Sequence, residues 1–295
     1  MNGTTTAQLA EKTAKAVTGS VEEWTGFLQS AARLYKYSYP EQLLIYAQRP
    51  DATACASYEI WNQTMRRYVR RGARGIALPD GAGAVRYVFD IADTGARKSS
   101  REVKTWVLDG NNREAVAHAL ETQYGSAAKL GIAGQLEEIA MQQSMDYWQW
   151  HQDELRGIVD GSFLEGYDEL NLEIAFRNTA AASVKYMLLS RCNLARECQI
   201  EPEELAGVLE WNTSAASGAL GSAVSELSEG VLRQIERTIR QYERSQNHDE
   251  RTDVHEERRV LDSRPDSSRT ADGTEQIRTD AGMVSEGASD DHLQQ

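Results

Sequence analysis

The sequence lacks the long apolar run that a membrane helix requires. No uninterrupted apolar stretch approaches the roughly 20 residues that span a bilayer, and the first residues lack the apolar stretch of a secretory signal. The three cysteines, Cys55, Cys192 and Cys198, are an odd number for a disulfide framework, and none has C-x-x-C spacing. We therefore expect reduced thiols that pack as small hydrophobes, in a cytoplasmic protein without a membrane partner.

Catalytic signatures are also missing. The sequence has no G-x-x-x-x-G-K-[ST] phosphate loop, and Gly81-Ala82-Gly83 does not continue into a dinucleotide fingerprint. The segment from His255 begins like the H-E-x-x-H motif of zinc proteases, but Arg259 stands where the second histidine is needed. The five histidines are scattered along the chain. The sequence thus predicts a non-enzymatic protein with no catalytic residue, no metal site and no cofactor.

Acidic residues outnumber basic ones overall, but the two kinds of charge are unevenly distributed along the chain. Across the chain 32 Lys and Arg face 45 Asp and Glu, a net charge of −13 that argues against a nucleic-acid-binding protein. Residues 1–110, however, hold 15 basic and 11 acidic side chains, a balance of +4. Residues 111–295 hold 17 and 34, a balance of −17, and 13 of those 34 acids lie beyond residue 245. The chain therefore has a mildly basic front and a strongly acidic back.

The periodicity of apolar residues predicts an α+β fold with four parts. Residues 1–19 are expected to form a flexible lead-in. Residues 20–110 are expected to form one α+β domain with three helices and a small antiparallel sheet. Residues 111–245 are helical almost throughout, and residues 246–295 have the polar, aromatic-free composition of a disordered tail.

Within the front domain, local signals place the helices and strands. Ser20 and Glu23 fit a capping box, and Pro40 after Ser38 suits the first turn of a second helix. A third, short helix is expected from Tyr58 to Met65. Alternating apolar residues then predict strands at Val85–Ile91 and Val103–Leu108.

In the helical region, three apolar stripes have the spacing of one helix face each. The longest supports a single helix of about six turns. The stripes are Val116, Leu120 and Tyr124; Met141, Met145 and Trp148; and Leu220, Val224, Leu227, Val231, Ile235, Ile239 and Tyr242.

The densest chemical feature is a run of arginines between the third helix and the sheet. Guanidinium groups bind phosphate oxygens bidentately, and aromatic rings stack on unpaired bases, so this composition suits single-stranded nucleic acid. The alternative is a solvated hairpin whose arginines pair with nearby acids. The run comprises Arg66, Arg67, Tyr68, Arg70, Arg71 and Arg74.

Two weaker features have structural explanations that we favour. A row of arginines, Arg233, Arg237, Arg240 and Arg244, shares one helix face with glutamates placed for ion pairs, so a solvated face is favoured over a binding face. The aromatic group Tyr147, Trp148, Trp150 and His151 could stack on bases, but aromatic residues at helical spacing more often belong to the core.

The front domain resembles the ArdC-type antirestriction N-terminal domain. The resemblance covers about a third of the chain and consists of five elements in the family's order. They are Trp24–Leu28, the Q-L-L-I-x-x-Q helix within Tyr35–Gln48, Trp61, the V-x-x-G-x-x-G-I segment Val69–Ile76, and the V-F-D-I-x-x-T segment Val88–Thr94. Its form is most similar to the version at the front of large conjugative-transposon proteins that also contain SNF2-like helicase and DNA methylase regions.

This resemblance implies single-stranded DNA binding in an antirestriction or DNA-transfer context of a mobile element. It raises the expectation that the arginine run binds DNA, and it adds Tyr37, Tyr39, Gln42 and Gln48, which flank the motif helix. Helicase or methylase components of the same element become expected partners. The chain lacks a helicase phosphate loop, an N/D-P-P-Y methylase motif and H-E-x-x-H. We therefore expect it to be a front module, either truncated or separately encoded.

The acidic helical half supports a second hypothesis from a different class. With a balance of −17, it could imitate the charge of DNA and occupy a restriction enzyme, or bind a protein partner. Mimicry requires the acids to form a continuous surface on residues 111–245. The 13 acids beyond residue 245 weaken that hypothesis.

Overall fold

Three helices open the chain in the computed structural model, which describes residues 3–80, 84–198 and 200–262. Helix α1 spans Gly3–Val17, α2 Val21–Arg33 and α3 Tyr39–Gln48. The predicted caps are confirmed: the Ser20 hydroxyl accepts a hydrogen bond from the Glu23 amide, and Ser38 and Glu41 form a capping box. Serine at these positions satisfies amide groups that a helix leaves without partners.

Helix α1 corrects the expected flexible lead-in at residues 1–19. Its inner face buries Thr6, Thr13, Ala14 and Val17. Threonine can occupy such a face because its hydroxyl bonds within the helix: Thr13 Oγ1 donates to the Leu9 carbonyl at 2.7 Å. A face made of small and hydroxyl side chains gives little apolar periodicity, so the sequence pattern missed it.

Two small antiparallel sheets follow the helices. Strands β1 (Cys55–Ser57), β4 (Val85–Asp90) and β3 (Ile76–Pro79) form one sheet in that order, and β2 (Tyr68–Val69) pairs with β5 (Thr94–Gly95) in the other. The predicted short helix is present as a π-helical turn, Ile60–Thr64, with a 3-10 turn at Ile91–Asp93 after β4.

The prediction of a strand at Val103–Leu108 is wrong, because this segment has no regular secondary structure. Its Trp106 is buried between helices: the indole Nε1 donates to the Tyr35 hydroxyl at 3.0 Å, and the Arg191 guanidinium lies over the ring. Tertiary contacts to residues distant in sequence therefore override the local preference for a strand.

The remainder of the described chain is helical. Helix α4 spans Arg113–Tyr124, α5 Gly131–Ile158, α6 Glu169–Arg191, α7 Pro202–Leu205 and α8 Ser214–Asp262, with 3-10 turns at Ala128–Leu130 and Ala206–Glu210. The long stripe along α8 is confirmed, with Leu220, Val224, Val231, Ile235 and Ile239 all buried. The stripe on α5 is only partly correct, since Trp148 is buried but Met141 is exposed.

One continuous core joins the front helices to the helical region. The Trp24 indole Nε1 donates to Ser183 Oγ of α6 at 2.9 Å, and the Tyr35 hydroxyl donates to Glu236 of α8 at 2.5 Å. Residues up to Asn247 form one compact unit, so the predicted boundary at residue 110 does not separate two units. The fold is nevertheless α+β in the predicted order of helices, sheet and helical region.

Helix α8 also continues into the segment predicted to be a disordered tail, because the backbone remains helical to Asp262. The rest of that prediction, residues 263–295, lies outside the described residues. None of the helices in the described part of the chain is long and apolar enough to cross a membrane.

Candidate nucleic-acid interface

The arginine run is held against a second basic segment by the β2–β5 pairing. Tyr68 pairs with Gly95 and Val69 with Thr94. Beyond the strands, the Ser100 hydroxyl donates to the Arg66 carbonyl at 2.7 Å, and the Arg101 amide donates to the Met65 carbonyl at 2.9 Å. Residues 65–70 and 93–101 therefore lie side by side. We call the surface formed by residues 66–75 and 96–101 the arginine surface.

Side chains from the motif segments fix this surface to the larger sheet. The Trp61 indole Nε1 donates to the Phe89 carbonyl at 2.8 Å, which joins the π-helical turn to β4. The Arg67 Nε donates to Thr94 Oγ1 at 2.8 Å, and that hydroxyl in turn donates to the Ile91 carbonyl. The residues that carry the family resemblance thus support the surface.

Four of the five predicted arginines are exposed and carry uncompensated charge. Arg66, Arg70, Arg71 and Arg74 are exposed, and none of their side chains has a hydrogen-bond, ion-pair or ring partner among the described residues. Arg67 differs, because it is half-buried and bonded to Thr94. The alternative of a hairpin whose arginines pair with nearby acids requires ion pairs at these arginines, and none is present among the described residues.

Three further basic residues belong to this surface and were missed. Lys98 and Arg101 are exposed, and the Arg97 guanidinium lies 5.6 Å from the centroid of the Tyr68 ring while it donates to Asn62. The run Arg97-Lys98-Ser99-Ser100-Arg101 is visible in the sequence as a second dense basic segment. Only the β2–β5 pairing places it next to the first.

Two exposed tyrosines flank the arginines, and glycine allows the backbone to approach each ring. Tyr68 is 43% exposed and Tyr87 is 46% exposed. A Cβ at Gly95 would lie 2.3 Å from the Tyr68 ring, and one at Gly75 would lie 3.0 Å from the Tyr87 ring. The rings are therefore held in place by backbone on one side. Tyr87 was not predicted as a site residue, although it lies in an alternating strand.

The residues added by the resemblance lie elsewhere, in or beside the core. Tyr39 is buried with its ring edge against Phe27, and Gln42 is buried with its amide nitrogen donating to the Tyr37 carbonyl at 2.9 Å. Both side chains therefore expose almost no surface for the predicted contact with DNA. The Tyr37 hydroxyl donates to the Cys55 carbonyl at 2.8 Å, and burial raises its pKa. Tyr37 therefore positions β1.

Gln48 also has a structural role. Its side-chain amide donates to the Ala77 carbonyl at 3.0 Å and accepts from the Ala77 amide at 2.9 Å. This pair of bonds imitates the pairing of a neighbouring strand and attaches α3 to β3. The polar groups of Gln48 are thus already engaged within the protein.

The two weaker features behave largely as the favoured explanations predicted. On α8, Arg233 pairs with Glu229 at 2.6 Å, and Arg240 lies 3.9 Å from Glu236. In the aromatic group, Trp148 is buried, whereas Trp150 is 84% exposed and does not belong to the core. Tyr147 and His151 stack on each other with centroids 3.9 Å apart.

Nine of the 21 acids in residues 111–245 lie within ion-pair distance of a basic side chain. Lys185 bonds to both Glu137 and Glu204, at 2.7 and 3.2 Å. Arg113 pairs with Glu197, and Arg177 with Glu173. DNA mimicry needs uncompensated negative charge, and this pairing removes part of it. The arginine surface differs, because Arg66, Arg70, Arg71 and Arg74 have no ion pair among the described residues.

The described residues contain no group of three or more His, Cys, Asp and Glu side chains that could hold a metal ion. None of the three cysteines forms a disulfide in the described part of the chain. The chain matches no protein-family model, no curated protein and no solved structure.

Proposed function

We propose that this protein is a non-enzymatic module that binds single-stranded DNA through the arginine surface. The observation that carries the proposal is the set of exposed arginines without protein partners beside Tyr68 and Tyr87. Guanidinium groups that no acid neutralises can replace the counterions of a phosphate backbone. Exposed rings supply stacking surfaces for bases that are not paired.

Preference for a single strand follows from the aromatic part of the surface. Bases in a duplex are stacked on one another, so their faces cannot reach Tyr68 or Tyr87. In a single strand the faces are free, and stacking on an aromatic side chain contributes about 1–3 kcal/mol per base without regard to sequence. The family resemblance adds a biological setting to the proposal, namely DNA transfer or antirestriction in a conjugative element.

The decisive experiment is titration of a labelled single-stranded oligonucleotide at several salt concentrations. Each phosphate contact contributes about 0.7 to the negative slope of log affinity against log salt. Replacing Arg70, Arg71 and Arg74 by glutamine should therefore weaken binding and reduce the slope by about 2. A duplex of the same sequence should compete poorly.

The matched control removes the same charge elsewhere on the surface. Arg113, Arg177 and Arg233 lie on helices and are ion-paired with glutamates, so their combined replacement by glutamine should leave the salt slope unchanged. Tyr87→Ala should weaken binding to the single strand at all salt concentrations, because stacking does not release counterions. Absence of binding at low salt, or equal effects of the two triple variants, would refute the proposal.

A further inference from the structure

A crevice beside the arginine surface concentrates positive charge around a small cavity. Its volume is about 210 Å³, and it lies where α2, the segment 104–106, α6 and α8 meet. Five basic side chains line it, against one carboxylate, Glu236. The five are Arg33, Lys36, Lys104, Arg191 and Arg240.

The single carboxylate is already engaged and cannot neutralise the set. Glu236 lies 2.6 Å from Lys36 Nζ and accepts the Tyr35 hydroxyl at 2.5 Å. Burial alone would raise the pKa of Glu236, but the hydrogen bonds from Lys36 and Tyr35 outweigh it and lower the pKa. The ion pair with Glu236 compensates the charge of Lys36. Arg240 lies 3.9 Å from Glu236 and 3.7 Å from Glu243, and Lys104 lies 3.9 Å from Glu102, so these longer ion pairs offset part of the remaining positive charge.

Two arginines of the crevice are fixed by backbone carbonyls, which are neutral. Arg33 donates to the carbonyls of Gln29, Pro50 and Ala52 at 2.9–3.2 Å. Arg191 donates to the Trp106 carbonyl at 3.0 Å, and its guanidinium carbon lies 3.4 Å from the centroid of the Trp106 ring. Neither arginine has an ion pair with a carboxylate in the described part of the chain.

Such an arrangement suits a small anion. The guanidinium groups are held in place before any ligand arrives, so little conformational entropy is lost on binding. Arg191 has five N–H donors and uses one of them on a protein acceptor. Burial also lowers the pKa of Arg191, because the charged guanidinium has lost part of its hydration. An anion beside the guanidinium would stabilise its positive charge.

We infer that this crevice binds a phosphate group. Phosphate matches the fork of a guanidinium bidentately. A volume of 210 Å³ is below the ~300–1,000 Å³ of sites that enclose whole small molecules, so a single phosphate group is the part of the ligand that enters.

The phosphate could come from a DNA backbone or from a free phosphorylated compound. The crevice is close to the arginine surface, since Lys104 lies three positions after Arg101, at most about 11 Å of extended chain. A strand bound on the arginine surface could therefore continue into the crevice. The inference does not depend on the proposed function, because a free phosphate would bind the same groups.

The test is NMR titration of the full chain with inorganic phosphate at constant ionic strength. The indole N–H of Trp106 lies in the crevice wall and donates to Tyr35, so its resonance, assigned with Trp106→Phe, should shift and saturate. Lys104 has an exposed side chain, and Lys104→Glu should weaken phosphate binding by about tenfold. Lys129→Glu, the same change at an exposed lysine outside the crevice, should change it less than twofold.

A second titration, with a single-stranded oligonucleotide, distinguishes the sources of phosphate. If the strand enters the crevice, it shifts the Trp106 resonance, and Lys104→Glu weakens its binding. A shift with phosphate alone identifies a free phosphorylated ligand, and it supports the inference even if the chain fails to bind DNA. No saturable shift with either ligand, or an equal response of Lys104→Glu and wild type, overturns it.

Discussion

Asp90 provides a sharp test of how the sheet is held to the helices. Its side chain is buried, yet it forms no ion pair among the described residues. One carboxylate oxygen accepts the amides of Thr53 and Ala54 at 2.7 and 3.0 Å, and the other accepts the amide of Ala92 at 2.9 Å. Asp90 therefore fixes both the segment entering β1 and the turn that leaves β4.

Replacing Asp90 by asparagine keeps the shape and removes one acceptor oxygen. A hydrogen bond to a charged group contributes about 1.5–3 kcal/mol. The asparagine side chain can orient its one oxygen toward the Thr53 and Ala54 amides, which keeps two hydrogen bonds. The arrangement of lower free energy therefore loses the bond from the Ala92 amide. We expect a loss of about 2 kcal/mol in the free energy of unfolding, which lowers Tm by about 4–8 °C in a domain of this size.

Urea unfolding followed by tryptophan fluorescence measures the loss. The control is Asp51→Asn. The carboxylate of Asp51 is exposed, and its ion pair with Arg49 is long, at 3.6 Å. That change should stay within about 0.5 kcal/mol of wild type. If Asp90→Asn unfolds at the same urea concentration as Asp51→Asn, with the same m-value, Asp90 does not hold the sheet in the way described.

Three further predictions concern the core and its pH dependence. Gly221→Ala should lower the free energy of unfolding by about 1–3 kcal/mol, because its Cβ would lie 2.2 Å from the buried ring of Tyr39. Gly218→Ala, which has no atom within 4 Å of its Cβ, should raise it by about 0.5–1 kcal/mol, and thermal unfolding of the two variants measures both changes. Ser183→Ala should lower the free energy of unfolding by about 1–3 kcal/mol, because it leaves the buried indole N–H of Trp24 unpaired. Ser228→Ala removes a buried hydroxyl that has no partner, so urea unfolding should show an unchanged or higher stability. The pKa of Glu236 is lowered in the folded state, so its contribution to stability is present at neutral pH and lost as the pH falls below about 4.5; Glu236→Gln should flatten the acid side of a stability–pH curve.

Local chemistry made much of the fold predictable. Ser20 and Ser38 cap helices through bonds to residues three positions away, so the sequence contains both partners. The face of α8 is predictable for the same reason, since its period is a local property. Helix α1 was missed because its alanine and threonine face carries little hydrophobic signal.

The predictions that failed depend on contacts between distant parts of the chain. Trp106 has a strand-like neighbourhood in sequence, but its position is set by Arg191, which lies 85 residues away. In the candidate site, the arginines were found from their density. Arg97 and Lys98 join them only through strand pairing, and the burial of Tyr39 follows from packing against Phe27.

The long sequence separation of the core contacts has a consequence for synthesis on the ribosome. Trp24 and its partner Ser183 are 159 residues apart. At about 5–20 residues per second, the acceptor is made roughly 8–30 s after the indole that needs it. Throughout that interval the apolar face of α2 lacks its native cover, and a nascent chain in that state is a substrate for chaperones and proteases. We therefore expect the front helices to acquire their native packing only after α6 has been synthesised.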